Sequence, residues 1–146
     1  MSYEEEFQAF MKRNISKVNL KIIETSDMYF CRLAKEFPLT GSKVDWDNIP
    51  NSIFKVSSNV NDVSPWCEFF KNIVKRNKLT GNVLYMNDAA FDCAYIFPIE
   101  VALNHIAEIL EFPEHHYFIN EDFKWCFSFT MEGEMAFGFN PKLSNI

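Results

Sequence analysis

Residues 123–140 read Phe-Lys-Trp-Cys-Phe-Ser-Phe-Thr-Met-Glu-Gly-Glu-Met-Ala-Phe-Gly-Phe-Asn. Large apolar side chains occupy every second position on either side of Gly133, which is the period of a β-strand with one buried face. These side chains are Phe123, Trp125, Phe127, Phe129, Met131, Met135, Phe137 and Phe139. The pattern predicts a β-hairpin that turns at Gly133.

The register of this hairpin follows from the same alternation. Pairing Met131 with Glu134 would send Phe137 to the face opposite Phe129, whereas pairing Met131 with Met135 keeps the large side chains together. Because a slip of one residue moves a whole apolar set to the wrong face, we expect the second register, in which Phe129 faces Phe137. The other face then carries small or polar residues and one lysine, namely Lys124, Cys126, Ser128, Thr130, Ala136, Gly138 and Asn140.

Helical and strand patterns precede the hairpin. Helices are expected to begin near Ser2, Ser26, Ser64 and Pro98, and strands to cover residues 53–56, 82–86 and 115–119, with 93–97 either a strand or the approach to the last helix. Ser2 and Glu5 have the spacing of a capping box. This order predicts an α+β fold. We expect a single globular domain, residues 1–146, with a mostly antiparallel sheet that ends in the aromatic hairpin and is covered by about four helices.

Trp46 lies between two aspartates in the polar loop of residues 40–50. Buried, it would fill a gap in the core, and exposed, it would serve as an interface anchor, because tryptophan is enriched at binding hot spots. The sequence leaves both interpretations open.

Composition bounds the class of protein. The chain has 146 residues, of which 48% are hydrophobic, and its start has neither a basic nor an apolar segment typical of a secretory signal. No apolar stretch reaches the roughly 18–20 residues that a membrane helix needs, so we expect a cytoplasmic protein. The four cysteines, Cys31, Cys67, Cys93 and Cys126, are widely separated, and we expect them to be reduced and in or near the core.

Charge is distributed unevenly along the chain. Residues 1–79 hold ten acidic and twelve basic side chains, a balance of +2, while residues 80–146 hold ten acidic and two basic ones, a balance of −8. The predicted helix at 98–111 carries Glu100, Glu108 and Glu111 and no lysine or arginine. A helix face of one sign forgoes the i,i+4 pairs that stabilise helices. The pattern favours a surface that binds a partner over one that only confers solubility, and it disfavours nucleic acid as that partner.

Catalytic and metal-binding patterns are weak. Adjacent histidines on a strand point to opposite faces, so His115 and His116 are not expected to share a metal ion. Cys93 and His105 are a conceivable thiol nucleophile and base, but nothing in the sequence brings them together. With four glycines, the chain has no phosphate-binding loop and no dinucleotide fingerprint. We expect no cofactor and no metal.

The segment from Phe97-Pro98-Ile99-Glu100 through the acidic helix to Trp125-Cys126-Phe127 and Met131-Glu132-Gly133-Glu134, together with the chain's size and acidity, resembles the small immunity proteins of bacterial toxin–immunity systems, including those of contact-dependent growth inhibition. The resemblance implies a non-catalytic, cytoplasmic protein that binds and blocks one cognate toxin, often a basic nuclease.

We therefore predict a protein that neutralises a toxin through an acidic surface. The predicted partner-binding residues lie on the acidic helix and at the ends of the hairpin, namely Glu100, Glu108, Glu111, Glu121, Asp122, Glu132 and Glu134. Two alternatives stay open at this point. One is a small cytoplasmic enzyme that uses Cys93 or His105, and the other is an adaptor that docks a peptide on the small-residue face of the hairpin.

Overall fold

The computed structural model describes residues 1–59, 61–88 and 90–145. Its α-helices are α1 (Tyr3–Asn14), α2 (Asp27–Glu36), α3 (Ser64–Asn77) and α4 (Ile99–Leu110). Its strands are β1 (Lys21–Ile23), β2 (Leu39–Thr40), β3 (Lys43–Val44), β4 (Ile53–Val56), β5 (Asn82–Asp88), β6 (Ala94–Pro98), β7 (His115–Asn120), β8 (Trp125–Phe129) and β9 (Glu134–Phe139). Short 3₁₀ helices cover Trp46–Asn48 and Pro141–Asn145.

Seven strands form one antiparallel sheet in the order β1-β6-β5-β7-β8-β9-β4, and β2 and β3 form a separate two-stranded hairpin. With four helices, this arrangement confirms the predicted α+β class. The predicted hairpin is β8–β9. It lies inside the sheet, because β4 pairs with the outer side of β9.

The register predicted for the hairpin is wrong by two residues. Phe129 lies opposite Met135, and Phe127 lies opposite Phe137. A shift of two residues preserves the alternation of faces, so these large side chains still share one side of the sheet. Hydrophobic patterning excludes odd shifts only, and it does not distinguish between the two even registers.

The turn explains which register forms. Thr130 N–H donates to the Glu134 carbonyl at 3.0 Å, and Gly133 N–H donates to the Thr130 carbonyl at 3.0 Å. Gly133 has a φ of 85°, the left-handed conformation that glycine adopts at the end of a three-residue hairpin loop. Met131 is consequently a loop residue and is 55% exposed, instead of packing in the core.

Two other aromatic residues of the hairpin depart from the prediction. Phe123 has a φ of 58°, which turns its side chain into the core on the opposite side of the sheet from Trp125. The Arg32 guanidinium lies 4.4 Å from the centre of the Phe123 ring. Phe139, at the far end of β9, is 46% exposed.

Helices α1, α3 and α4 cover one side of the sheet and form the first core. The aromatic face of the hairpin packs here, as shown by Phe70 of α3, whose ring centre lies 4.7 Å from that of Phe127. Phe7 of α1 extends the same cluster, with its ring centre 5.2 Å from that of Tyr85.

The opposite side of the sheet carries a second core, which α2 and residues 44–49 cover. Trp46 is buried here, and its indole N–H donates to Ser128 Oγ at 3.1 Å. The small residues of the hairpin make room for it, because a Cβ added to Gly138 would meet the Trp46 ring at 3.0 Å and Ile49 at 3.1 Å. The interpretation of Trp46 as a core residue is therefore the correct one.

The helix starts follow local chemistry to different extents. The capping box of Ser2 and Glu5 is present at α1, as predicted. At α3 the N-cap residue is Val63, and Ser64, near which the helix is predicted to begin, is the first helical residue. The backbone N–H of Ser64 donates to Asp62 Oδ1 at 2.9 Å, and this bond lowers the pKa of the Asp62 carboxyl.

The four cysteines are free thiols. Cys67 and Cys126 are buried and Cys93 is partly buried, as expected. Cys31 is exposed on α2, so its predicted placement in or near the core is wrong. It lies on the solvent side of an amphipathic helix whose buried residue is Leu33.

Candidate functional site

The acidic stripe of the sequence lies on the outer face of α4. Ile99, Ala102, Ile106, Ile109 and Leu110 are buried against the sheet and α3. Glu100, Glu108 and Glu111 are exposed, as the helical spacing requires once those apolar residues face inward.

The helix bends at His105, whose φ of −124° and ψ of 17° are not helical. The His105 ring packs edge-on against Phe10 of α1, with ring centres 5.6 Å apart. Its Nδ1 lies 3.2 Å from Glu108 Oε2. Beyond this bend the second half of α4 presents Glu108 and Glu111.

The turn between β7 and β8 lies beside the start of α4. Glu121 N–H donates to the Asn82 carbonyl at 3.2 Å, and Asn82 pairs with Pro98, the residue before α4. The exposed side chains of Glu121 and Asp122 are thus at the same end of the sheet as Glu100.

The tip of the β8–β9 hairpin lies at the end of β8 that is farther from Glu121, on the second-core side of the sheet. Lys43 Nζ is 2.9 Å from Glu132 Oε1 and 3.9 Å from Glu134 Oε1. The hydrogen bond to Lys43 lowers the pKa of the Glu132 carboxyl, and the same bond raises the pKa of Lys43. Because β3, which carries Lys43, packs Val44 into the second core, these two acids face away from α4.

The seven predicted partner-binding residues therefore do not form one continuous patch. Glu100, Glu121 and Asp122 share one end of the sheet, Glu108 and Glu111 follow the later turns of α4, and Glu132 and Glu134 lie at the hairpin tip. Within the described part of the chain, no lysine or arginine forms an ion pair with the five acids outside the tip. Apart from the contact of Glu108 with His105, their negative charge is thus left for solvent or for a partner.

Sequence reasoning missed an exposed apolar pair next to the hairpin tip. Phe54 is 48% and Val56 is 59% exposed on the edge strand β4. They lie opposite Ala136 and Glu134 of β9. The alternation of residues 53–56 signals a strand, but the position of that strand at the edge of the sheet depends on a long-range pairing that no local pattern reveals.

The structure does not bring Cys93 and His105 together. Cys93 Sγ lies 3.6 Å from Gln8 Nε2 and donates to the Glu24 carbonyl at 3.6 Å, while His105 contacts Phe10 and Glu108. Burial and the nearby Glu4 carboxylate raise the pKa of the Cys93 thiol. A nucleophilic cysteine requires the thiolate and an adjacent base, so this arrangement does not support the Cys93 alternative.

His115 and His116 have separate partners. His115 Nδ1 accepts a hydrogen bond from Met131 N–H at 3.1 Å, whereas His116 is buried with its Nδ1 2.7 Å from the Tyr85 hydroxyl. Over residues 1–59, 61–88 and 90–145, no cluster of three or more histidine, cysteine, aspartate or glutamate side chains has a geometry that would hold a metal ion.

The small-residue face of the hairpin is not exposed. Cys126, Ser128 and Ala136 are buried beneath Trp46 and its neighbours. The surface on which the adaptor alternative would dock a peptide is therefore covered by the chain itself.

In the part of the chain that the structure describes, every helix is too short or too polar to cross a membrane. A scan against protein-family models finds no match, and a search of curated proteins finds none either.

Proposed function

We propose that this chain is a non-catalytic, cytoplasmic binding protein that neutralises a cognate protein toxin through its acidic surface. The proposed toxin is basic, in the manner of a nuclease. The observation that carries the proposal is the set of exposed carboxylates on α4 and the β7–β8 turn, none of which has a lysine or arginine partner among the described residues.

Unpaired charge of one sign has a direct consequence for association. It accelerates the encounter with a partner of opposite charge and orients that partner. A nuclease must present lysine and arginine to the phosphates of its substrate. A protein that covers those side chains with carboxylates blocks the substrate site without performing any chemistry.

The ordered backbone that carries these carboxylates supports this role. Glu100, Glu108 and Glu111 project from a helix that is anchored in the core, and Glu121 is held by two hydrogen bonds to Asn82, one from its own N–H and one to its Oε1 at 3.3 Å. Charges on an ordered framework lose less entropy on binding than charges on a disordered tail.

The test measures affinity as a function of salt. The partner tested is the protein encoded immediately upstream of this chain's gene, which the proposal expects to be the toxin, purified and titrated by calorimetry at 50, 150 and 500 mM sodium chloride. We expect the affinity to fall steadily with salt. The double variant Glu108→Lys/Glu111→Lys is expected to weaken binding at 150 mM salt by about tenfold or more, equivalent to about 1.4 kcal/mol.

The matched control is Glu6→Lys/Glu24→Lys, which changes the net charge equally at exposed positions of the first half of the chain. We expect it to retain most of the affinity. Binding that is insensitive to salt, or an equal loss in both double variants, would contradict an interface formed by α4.

A further inference from the structure

A cavity of about 380 Å³ opens on the second-core side of the sheet, next to the hairpin tip. The 3₁₀ helix that begins at Trp46 forms one wall, and Phe54 of the edge strand forms another. Tyr117 and Ser128, from β7 and β8, line it from the sheet. The volume lies within the range of about 300–1,000 Å³ that is typical of ligand sites.

The sheet side of this cavity presents hydroxyl groups with unused hydrogen-bonding capacity. Tyr117 is only 1% exposed, and its hydroxyl forms no hydrogen bond with any residue in the described ranges. Ser128 is 4% exposed, and its oxygen accepts a hydrogen bond from the Trp46 indole. Buried polar groups in native proteins are nearly always paired. The Tyr117 hydroxyl lines the cavity without a protein partner among the described residues, so it is available to a polar guest.

The charge around the cavity specifies the sign of that guest. Asp45, Asp47 and Glu134 line it, and Lys43 is the one basic residue among its described lining residues. Three carboxylates and one ammonium give a balance of −2. Lys43 Nζ is closer to Glu132, at 2.9 Å, than to Glu134, at 3.9 Å. Glu134 Oε1 also accepts a hydrogen bond from Thr130 Oγ1 at 3.1 Å, which leaves Oε2 for a guest, and the net negative charge of the lining favours a cation.

The aromatic residues that line the cavity indicate the shape of the guest. Trp46, Phe54 and Tyr117 all line the cavity. Cations are attracted to aromatic faces, tryptophan above all. A guanidinium is flat, stacks on such rings and offers five donors in its own plane, whereas an ammonium is compact and strongly hydrated. The half-exposed Phe54 ring together with carboxylate and hydroxyl acceptors in the lining suits a guanidinium better.

We propose that this cavity receives an arginine side chain of a protein partner. The proposal rests on the function proposed above in that the partner is a basic protein, and it gives that partner a second contact, on the side of the sheet opposite α4. The exposed Phe54 side chain lines the cavity, and the exposed Val56 lies on the same strand opposite Glu134, another lining residue. They supply the apolar rim that excludes water around a buried anchor at an interface.

The experiment uses the full chain and a small probe, so that it does not depend on the toxin. The ¹⁵N-labelled protein is titrated with N-acetyl-arginine-N-methylamide and, separately, with the corresponding citrulline compound, which has nearly the same shape but no charge. Backbone amide shifts and the Trp46 indole N–H shift are recorded. We expect a saturable shift at the Trp46 indole and at the Ser128 amide with the arginine compound and none with the citrulline compound.

Variants locate the site. Glu134→Gln is expected to weaken binding of the arginine compound at least threefold, and Tyr117→Phe to weaken it measurably while the protein stays folded, because only a hydroxyl without a partner is removed. Glu24→Gln, an exposed acid distant from the cavity in the fold, is expected to bind as the wild type does.

Three results would overturn the proposal. They are equal shifts with the citrulline compound, shifts that spread over the exposed carboxylates without reaching the Trp46 indole, and unchanged affinity in both Glu134→Gln and Tyr117→Phe. None of these results bears on the salt dependence of toxin binding or on the charge reversals in α4. Conversely, a toxin that fails to bind leaves the affinity for the arginine compound unchanged, so the two proposals fail separately.

Discussion

At the scale of single residues, the burial of His116 constrains the protonation state of its imidazole. The residue is buried in the first core, its Nδ1 lies 2.7 Å from the Tyr85 hydroxyl, and the Trp66 ring packs beside it. Burial lowers the pKa of His116 from 6.5 to about 3, against the opposing effect of a hydrogen bond to the Phe112 backbone. The folded protein therefore requires a neutral imidazole at this position.

This requirement predicts a specific loss of stability in acid. The folded state binds the proton less readily than the unfolded state, so the contribution of His116 to stability is complete above pH 6.5 and is lost as the pH falls from 6.5 towards 3. The loss is about 1.4 kcal/mol per pH unit in that window. We expect His116→Asn, whose amide oxygen can accept from Tyr85, to be less stable at pH 7 but to lose less stability than the wild type between pH 6.5 and pH 4.5, by about 2 kcal/mol.

Urea unfolding at a series of pH values measures both slopes. The control is His105→Asn, because His105 is partly exposed beside Glu108 and its replacement leaves the buried His116 imidazole in place. We expect that variant to follow the wild-type pH dependence closely. If His116→Asn follows it as well, the acid sensitivity belongs to carboxylates such as Asp62 and Glu132, whose pKa values are also lowered by folding.

At the scale of elements, the two serines that precede α1 and α2 differ in what they do. Ser2 Oγ accepts a hydrogen bond from Glu5 N–H at 3.1 Å, and Ser2 N–H donates to Glu5 Oε1 at 3.4 Å. Ser26 has helical dihedral angles, φ −85° and ψ −6°, and its side chain makes no capping bond. A serine directly before the first helical residue therefore caps α1 with its side chain but does not cap α2.

We expect Ser2→Ala to destabilise the protein by about 1 kcal/mol, the usual cost of losing an N-cap. Ser26→Ala is the matched variant and is expected to cost clearly less. The urea midpoints of the two variants, compared with the wild type at pH 7, measure the difference. Equal losses would mean that α1 does not depend on its capping box for stability.

For helices and strands, local patterns were predicted correctly from the sequence, whereas the register of the hairpin was not. The capping box, the helix at Ser64 and the alternation in β8 and β9 are local patterns, and the structure reproduces them. The hairpin register failed because a shift of two residues keeps every side chain on its face, and only the three-residue loop ending at Gly133 decides between such registers. The predicted face of Phe123 was wrong for a related reason. Phe123 itself has a left-handed backbone conformation in the β7–β8 turn, and this reverses the face to which its side chain points.

The candidate site likewise has features that could be predicted from the sequence and features that could not. Exposure of the α4 acids follows from helical spacing and was predictable. The proximity of Glu121 to the start of α4 was not, because it depends on the pairing of Asn82 with Pro98, which are distant in sequence from Glu121. The cavity beside Trp46 was hidden for the same reason. Its walls come from β3, the 3₁₀ helix, β4, β7, β8 and β9, and only the strand order brings them together.

At the scale of the whole molecule, one sheet serves two cores. Every residue of β8 is buried, as are the central residues of β5 and β7. Phe118 and Phe127 pack towards α3, while Tyr117 and Cys126, their neighbours in sequence, pack on the other side. Each strand therefore depends on both layers, and it loses the packing of one face when either layer detaches. Such mutual dependence is the structural basis of a single cooperative transition.

Tryptophans placed in both layers make this testable. Trp46 reports on the second core, and Trp66 and Trp125 report on the first. We expect the variant Trp66→Phe/Trp125→Phe, which retains only Trp46, to show the same urea midpoint by fluorescence as by far-ultraviolet circular dichroism. The reciprocal variant, Trp46→Phe, is expected to show coincident midpoints for the first core. Because each comparison is made within one variant, loss of the bond from Trp46 to Ser128 shifts both signals of the reciprocal variant together. A Trp46 fluorescence transition that precedes the loss of secondary structure would show instead that α2 and residues 44–49 detach first. In that case the arginine cavity would open before the acidic face of α4 is lost, and the two proposed contacts would have separate stabilities.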